Sequence, residues 1–478
     1  MRSRTVLGSI RIVSRLIQAT RLNHAIGLTV FMACASGAFT PAIGQTQGQM
    51  PAAPFPAAPG QTMRAQASDG VHLGVAACAG SNCHGATEPI AGSSVMQNEF
   101  TIWTTRDKHR RAYDVLLDDR AVRMARALGL PDAKSAPVCL DCHADNVPAE
   151  ERGRQFQLAD GVGCEACHGG ASTWLGIHIS GVSHRDNLAA GLYPTEQPVA
   201  RAEKCLSCHF GDAGRFVNHR LYGAGHPRLT FELDTFTAIE PAHFVVDRDY
   251  VQRKGVITDL QVWSAGQAIA LVRRMDALLD PRHNHQGTFP EPALFDCQSC
   301  HHVFDSLHAP RPTATGLGPG TVKLNDANAA MLRVAAQRIA PAAATALATH
   351  MQELHRATDT DWTLVQREAG AVRRAAVELV PALAGHQFTA QDMRAMADGV
   401  IAAALNGGAD EYSHAEQTTM ALESLVSGMR SAGFLDDGRA QALKTAMSGL
   451  YESFANDAVY RPDAFVKALH DFQRMMGR

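Results

Sequence analysis

A chain of 478 residues exceeds what one hydrophobic core normally serves, so two or three units are expected. Hydrophobic residues make up 46% and charged residues 19%, which excludes wholesale disorder. A net charge of −3 leaves no basic footprint for nucleic acid, and 6% aromatic residues argue against an aromatic-rich β-core.

The first element in the chain is an address. Residues 1–44 carry no Asp or Glu, and Arg2, Arg4, Arg11, Arg15 and Arg21 precede or flank an apolar run from Ala25 to Phe39. That run falls short of the roughly 20 residues a membrane-spanning helix needs. With Ala42 and Gly44 behind it as a cleavage site, segment 1–44 reads as a secretory signal peptide. The mature protein is then expected in the periplasm, with no transmembrane span. Residues 45–68, rich in Ala, Pro, Gln and Gly, read as a linker.

Segment 69–322 holds ten of the eleven cysteines. They form five pairs: Cys78/Cys83, Cys139/Cys142, Cys164/Cys167, Cys205/Cys208 and Cys297/Cys300. Each pair is followed at once by a histidine, namely His84, His143, His168, His209 and His301. With 22 histidines in 478 residues, five such coincidences are not chance. CxxCH is the attachment signature of haem c. Two thiols must add to two vinyl groups on one porphyrin edge while the histidine reaches the iron from one face, and a two-residue spacer on a helical turn does this. Zinc, disulfide and iron–sulfur chemistry give no reason for the histidine. Five covalently attached haems c are therefore expected; CAGSNCH at 78–84 has a loop two residues longer than the others.

Five irons have five further axial positions. Residues 69–310 carry sixteen histidines, and removing the five proximal ones leaves eleven. Only Met96, Met124 and Met275 lie in the same stretch, so bis-histidine ligation is the expected rule. The expected distal ligands are His109, in an anticipated helix WTTRDKHRRAYDVL; His178 and His184, after the third motif; and His219 and His226, after the fourth. His243 stays open, His302 reads as a neighbour of a ligand, and His72, His283, His285 and His308 carry no assignment. Porphyrins supply apolar surface, so short helices, long loops and almost no sheet are expected here.

CAGSNCHG, VMQNEFTIWTTRDKHRRAY, CLDCHADNV, GVGCEACHGG, CLSCHFG and GAGHPRLTFEL together resemble the cytochrome c-554-like family of multihaem cytochromes, over roughly 72–310. The resemblance implies a mostly helical periplasmic protein with closely packed haems, passing electrons between periplasmic or membrane-associated redox proteins. It matches His109 and His226 best to distal positions. The familiar member carries four haems, one of them five-coordinate, whereas this chain has five motifs. Pentahaem ammonia-forming nitrite reductases attach their catalytic haem through CxxCK, which is absent here, and hydroxylamine-oxidising enzymes carry eight haems.

Segment 323–478 contains no cysteine and reads as a bundle of five or six helices. Val365, Ala369, Val372, Ala376 and Leu379 fall on one helical face. Thr389–Asp392 and Ser413–Glu416 have the spacing of capping boxes, and Asn406-Gly407-Gly408 and Asp436-Asp437-Gly438 read as helix stops. His350, His355, His386, His414 and His470 read as surface or core residues. The fold expected is mainly α: a loop-rich multihaem domain followed by an all-α bundle. The function expected is electron transfer. The alternative is a haem enzyme with one open iron position for a small nitrogen oxide, hydroxylamine or peroxide, served by His243, Tyr222 or Arg228.

Overall fold

The computed structural model describes residues 70–90, 95–284, 289–301, 317 and 321–477. The expected signal peptide and linker, and His285, His302 and His308, lie outside the described residues. The protein is mainly α. Among the described residues there is no β-strand, only isolated bridges pairing His72 with Arg152, Gly211 with Phe216 and Phe295 with Leu324.

The cysteine-rich stretch is built from short helices: α1 (Glu99–Arg106), α2 (Asp119–Leu128), α3 (Pro137–His143), α4 (Cys164–His168), α5 (Leu175–His178), α6 (His184–Ala189), α7 (Pro198–His209), α8 (His219–Gly223), α9 (Leu233–Ile239) and α10 (Arg248–Lys254). Its own apolar clusters are small. One joins Leu116, Ala121, Ala125, Ala133, Leu140 and Ala144. Helix α1 stops at Arg106, short of His109, which the sequence placed within a longer helix. Asp107 takes extended backbone there, and its carboxylate accepts from the His109 backbone N–H at 2.9 Å.

Helix α11 (Asp259–Leu279) is buried on almost every face, the signature of a central helix. Thr258 and Gln261 form a capping box at its start. One side meets α7 and α9 through Ala202, Leu206, Leu233, Val262, Ile269 and Ala270. Gly266 permits the approach: a Cβ there would sit 2.7 Å from Leu233 Cβ. The other side, with Leu260, Trp263, Leu271, Met275 and Leu278, enters a large core. That core continues through α13 (Ala327–Ile339), α14 (Pro341–Thr358), α15 (Trp362–Gly385), α16 (Ala390–Leu405), α17 (Tyr412–Ser431), α18 (Asp437–Ser453) and α19 (Pro462–Met476), with the one-turn α12 (Pro281–Asn284) directly after α11. Thus α11 lies in the cysteine-rich part of the sequence but shares the core of the C-terminal helices.

Seven helices follow residue 323 among the described residues, against the five or six expected. Val365, Ala369, Val372, Ala376 and Leu379 are all buried. Two local readings are corrected. Ser413 is the second residue of α17 and no cap, and Glu416, a turn into the helix, binds Arg228 instead of closing a capping box. Asp436 starts α18, accepting from the Arg439 backbone N–H at 2.8 Å, where a stop was expected.

The capping box of α16 is present: Thr389 Oγ1 accepts from the Asp392 N–H at 3.2 Å, and Asp392 Oδ2 accepts from the Thr389 N–H at 3.0 Å. Arg338 lies 3.1 Å from the same carboxylate. Burial raises the Asp392 pKa, but the bonds from Thr389 and Arg338 outweigh it and hold the carboxyl down at about 2. A depressed carboxyl stabilises above its unfolded value and loses that contribution as pH falls. Asp392→Ala should therefore cost about 1–2 kcal/mol at pH 7, and the difference from the parent should close between about pH 4 and pH 2. Denaturant titrations at pH 7 and pH 3 check this; an equal deficit at both would remove the carboxylate from the explanation.

Candidate functional site

The five cysteine pairs sit on local structures that explain their spacing. In α3, α4 and at the end of α7, the two cysteines are three residues apart and share a helical face. The following histidines, His143, His168 and His209, are the last residues of these helices. The fifth pair sits on a single turn, Cys297–Ser299, capped by Asp296, whose Oδ2 accepts from the Ser299 N–H at 3.1 Å. The longer first loop closes by other means. Cys83 N–H donates to Gly80 O at 2.8 Å, and His84 N–H to Cys78 O at 3.2 Å. Gly85 is required beside it, since a Cβ there would lie 2.0 Å from Ala79 O.

Each proximal imidazole faces a second one. Ring centroids are 6.1 Å apart for His84 and His178, 6.1 Å for His109 and His209, and 6.4 Å for His143 and His226. They are 6.5 Å apart for His168 and His243, and 6.2 Å for His219 and His301. Two imidazoles on opposite faces of one metal ion, each bonded at about 2 Å, put their centroids about 6 Å apart. Five gaps of this size, each beside a cysteine pair, fit five bis-imidazole irons.

Four of these rings have the outer nitrogen anchored as a metal-ligating imidazole requires. Nδ1 of His84 bonds Glu99 at 2.9 Å, and that of His143 bonds the Ala112 carbonyl at 2.9 Å. Nδ1 of His109 bonds Asp107 at 3.0 Å, and that of His226 bonds the Pro227 carbonyl at 2.7 Å. Each of these bonds leaves Nε2 for the gap. Burial pushes His168 down to about 3 and His209 down to about 4, so both rings are kept neutral, the form that binds metal. Glu99 raises the His84 pKa by hydrogen bond and charge. At His109 burial lowers it, and the bond to Asp107 together with the charges of Asp107 and Glu240 raises it overall.

His109, His178, His219 and His226 thus stand opposite proximal histidines. His184 does not. Its Nε2, the nitrogen a ligand would offer, is bonded to Glu196 at 2.9 Å. His243, left open by the sequence, occupies the place opposite His168. Two further histidines are tied elsewhere: His72 Nδ1 to Asp145 at 2.7 Å and His283 Nε2 to the Asp212 carbonyl at 2.8 Å.

The motifs also touch one another. The Cys78 and Cys164 thiols are near enough to shift one another's titration, as are those of Cys142 and Cys208. Cys167 lies close enough to Cys205 for their charges to interact. The attachment points therefore run first, third, fourth, second. The segment 219–226 supplies facing rings to both the fifth and the second motifs.

Residues 77–169, covering the first three motifs, match the family described as cytochrome c554 and c-prime. This segment belongs to that cytochrome family. Membership of a c-type cytochrome family implies covalently bound haem c. The match ends before the fourth and fifth motifs, Cys205–His209 and Cys297–His301. No curated protein and no solved structure matches the chain. Among the described residues no helix is long and apolar enough to cross a membrane.

Proposed function

We propose that the chain is an exported pentahaem c-type cytochrome that carries electrons between redox proteins of the periplasm or its membrane. The observation that carries this reading is the imidazole opposite every proximal ring. When bound, each haem supplies an iron that accepts and returns one electron. The ten cysteines hold the porphyrin edges, and His84, His143, His168, His209 and His301 take one axial position each. His178, His226, His243, His109 and His219, in the same order, take the other. With imidazole on both sides, oxidation and reduction displace few atoms, which suits rapid transfer. Imidazole pairs also favour lower potentials than methionine would. The sequence of touching motifs supports a path entering at the first and leaving near the fifth, or the reverse.

An enzyme acting on a small nitrogen oxide, hydroxylamine or peroxide needs an open axial position. The imidazole facing each proximal ring speaks for electron transfer instead. Arg228, one residue that chemistry would use, is already paired with Glu416.

The test is made on the matured holoprotein. Pyridine haemochrome and intact mass should give five haems per chain and a leader cut after residue 44. Paramagnetic resonance of the oxidised protein should be low-spin throughout. Two signals should be rhombic, from the near-parallel pairs at 16° and 30°. Three should be strongly anisotropic, from the pairs at 90°, 78° and 86°. A high-spin signal of one full iron that shifts with nitrite or hydroxylamine would reverse the choice in favour of the enzyme.

A further inference from the structure

Arg274, on α11, is buried with no carboxylate in ion-pair contact among the described residues, and Asp326 acts on it only from a distance. It is 9% exposed, and its Nε has no hydrogen-bond partner. Its guanidinium lies over the Phe210 ring, 5.0 Å from the centroid. Burial lowers its pKa to about 10, which still leaves it charged at neutral pH. Arg228, in the same cavity, provides the contrast, because its charge is met by the Glu416 carboxylate. A buried cation with no counter-ion is costly, and a folded protein normally supplies one.

The cavity that Arg274 lines is also lined by Cys297, Tyr222 and Phe210. Cys297 is the first cysteine of the fifth attachment motif, so the group joined there borders the same space. Haem c carries two propionate carboxylates, and a guanidinium is the side chain best suited to bind one through charge-assisted bonds. We infer that Arg274 is the counter-ion for a propionate of the haem attached at Cys297 and Cys300. This rests on the proposed fifth haem. It makes Arg274 a cofactor-positioning residue supplied by a helix whose other face belongs to the C-terminal core. Removing the cation favours the more positive, oxidised iron, so the potential of that one haem should fall.

The experiment uses the full-length holoprotein and its Arg274→Gln and Arg274→Lys variants. Haem content by pyridine haemochrome comes first: fewer than five haems in the parent would defeat the fifth-haem reading itself. With five haems present, Arg274→Gln should lower one of the five reduction potentials and leave four in place. It should also shift one propionate bending band in the resonance Raman spectrum. Arg274→Lys should keep that potential near the parental value while still shifting the band. If Gln folds poorly, the Lys variant's band decides the matter. Unchanged potentials and an unchanged band in both variants would overturn the inference. So would a saturable spectral change of the parent on adding sulfate, since the cavity would then hold a free anion instead.

Discussion

His243→Ala should convert one haem of the oxidised protein from low-spin to high-spin and open it to carbon monoxide, while the other irons keep their spectra. His184→Ala should leave every iron low-spin. The contrast follows from geometry: the His243 ring stands 6.5 Å from His168, whereas His184 spends its Nε2 on Glu196. The effect is large because the loss of an axial nitrogen changes the spin state outright, not by degree. Paramagnetic resonance and carbon monoxide difference spectra of the two variants decide between these histidines. High-spin iron in His184→Ala with none in His243→Ala would exchange their roles.

Lys323→Met should destabilise the protein by about 3–5 kcal/mol near neutral pH. Lys323 is buried, with its Nζ 2.5 Å from Glu411 and 3.1 Å from Asp326. His414 Nε2 lies 2.6 Å from the same Asp326, and His355 Nε2 lies 3.1 Å from it. Replacing the cation by methionine leaves two buried carboxylates with too little positive charge. The sign with pH is fixed by the same groups. Burial raises the Asp326 pKa, but Lys323 and His414 pull it well below the ordinary carboxylate range. Its contribution is therefore present above about pH 4 and lost as pH falls. His414 is also penalised by burial, yet Glu411 and Asp326 raise its pKa, so its contribution holds below about pH 6.5 and declines as pH rises through the raised value. The penalty of Lys323→Met should be greatest where both carboxylates are charged and should shrink in acid. Guanidinium chloride midpoints at pH 7 and pH 4 test this. A variant as stable as its parent at pH 7 would mean the carboxylates protonate or find water at little expense.

The attachment motifs were legible because their spacing is dictated by covalent chemistry. Two thiols and one imidazole must meet one porphyrin, and that requirement is local in sequence. The rings of His178, His219 and His226 face motif histidines, and their place just after a motif is the weaker signal that pointed to them. His243 was harder, because it lies in the loop PAHF, 34 residues beyond the fourth motif, and faces a ring from the third. No spacing rule connects them. The bond of His184 to Glu196 had no sequence signal either, being a contact set by tertiary packing. Helix α11 lies among the motifs in the sequence, and that position hid the core to which it belongs. The Ser413 and Asp436 misreadings have one cause: Ser and Asp side chains serve equally at helix starts, in turns and in tertiary contacts, and only the backbone tells these apart.

The double allegiance of α11 bears on where the polypeptide could be shortened. A chain terminated after the fifth motif would bare Trp263, Leu271, Met275 and Leu278 to water along one continuous ridge, since all four are essentially inaccessible in the intact fold. Such a fragment would retain every attachment site yet be prone to self-association, so redox studies on it would report on aggregates.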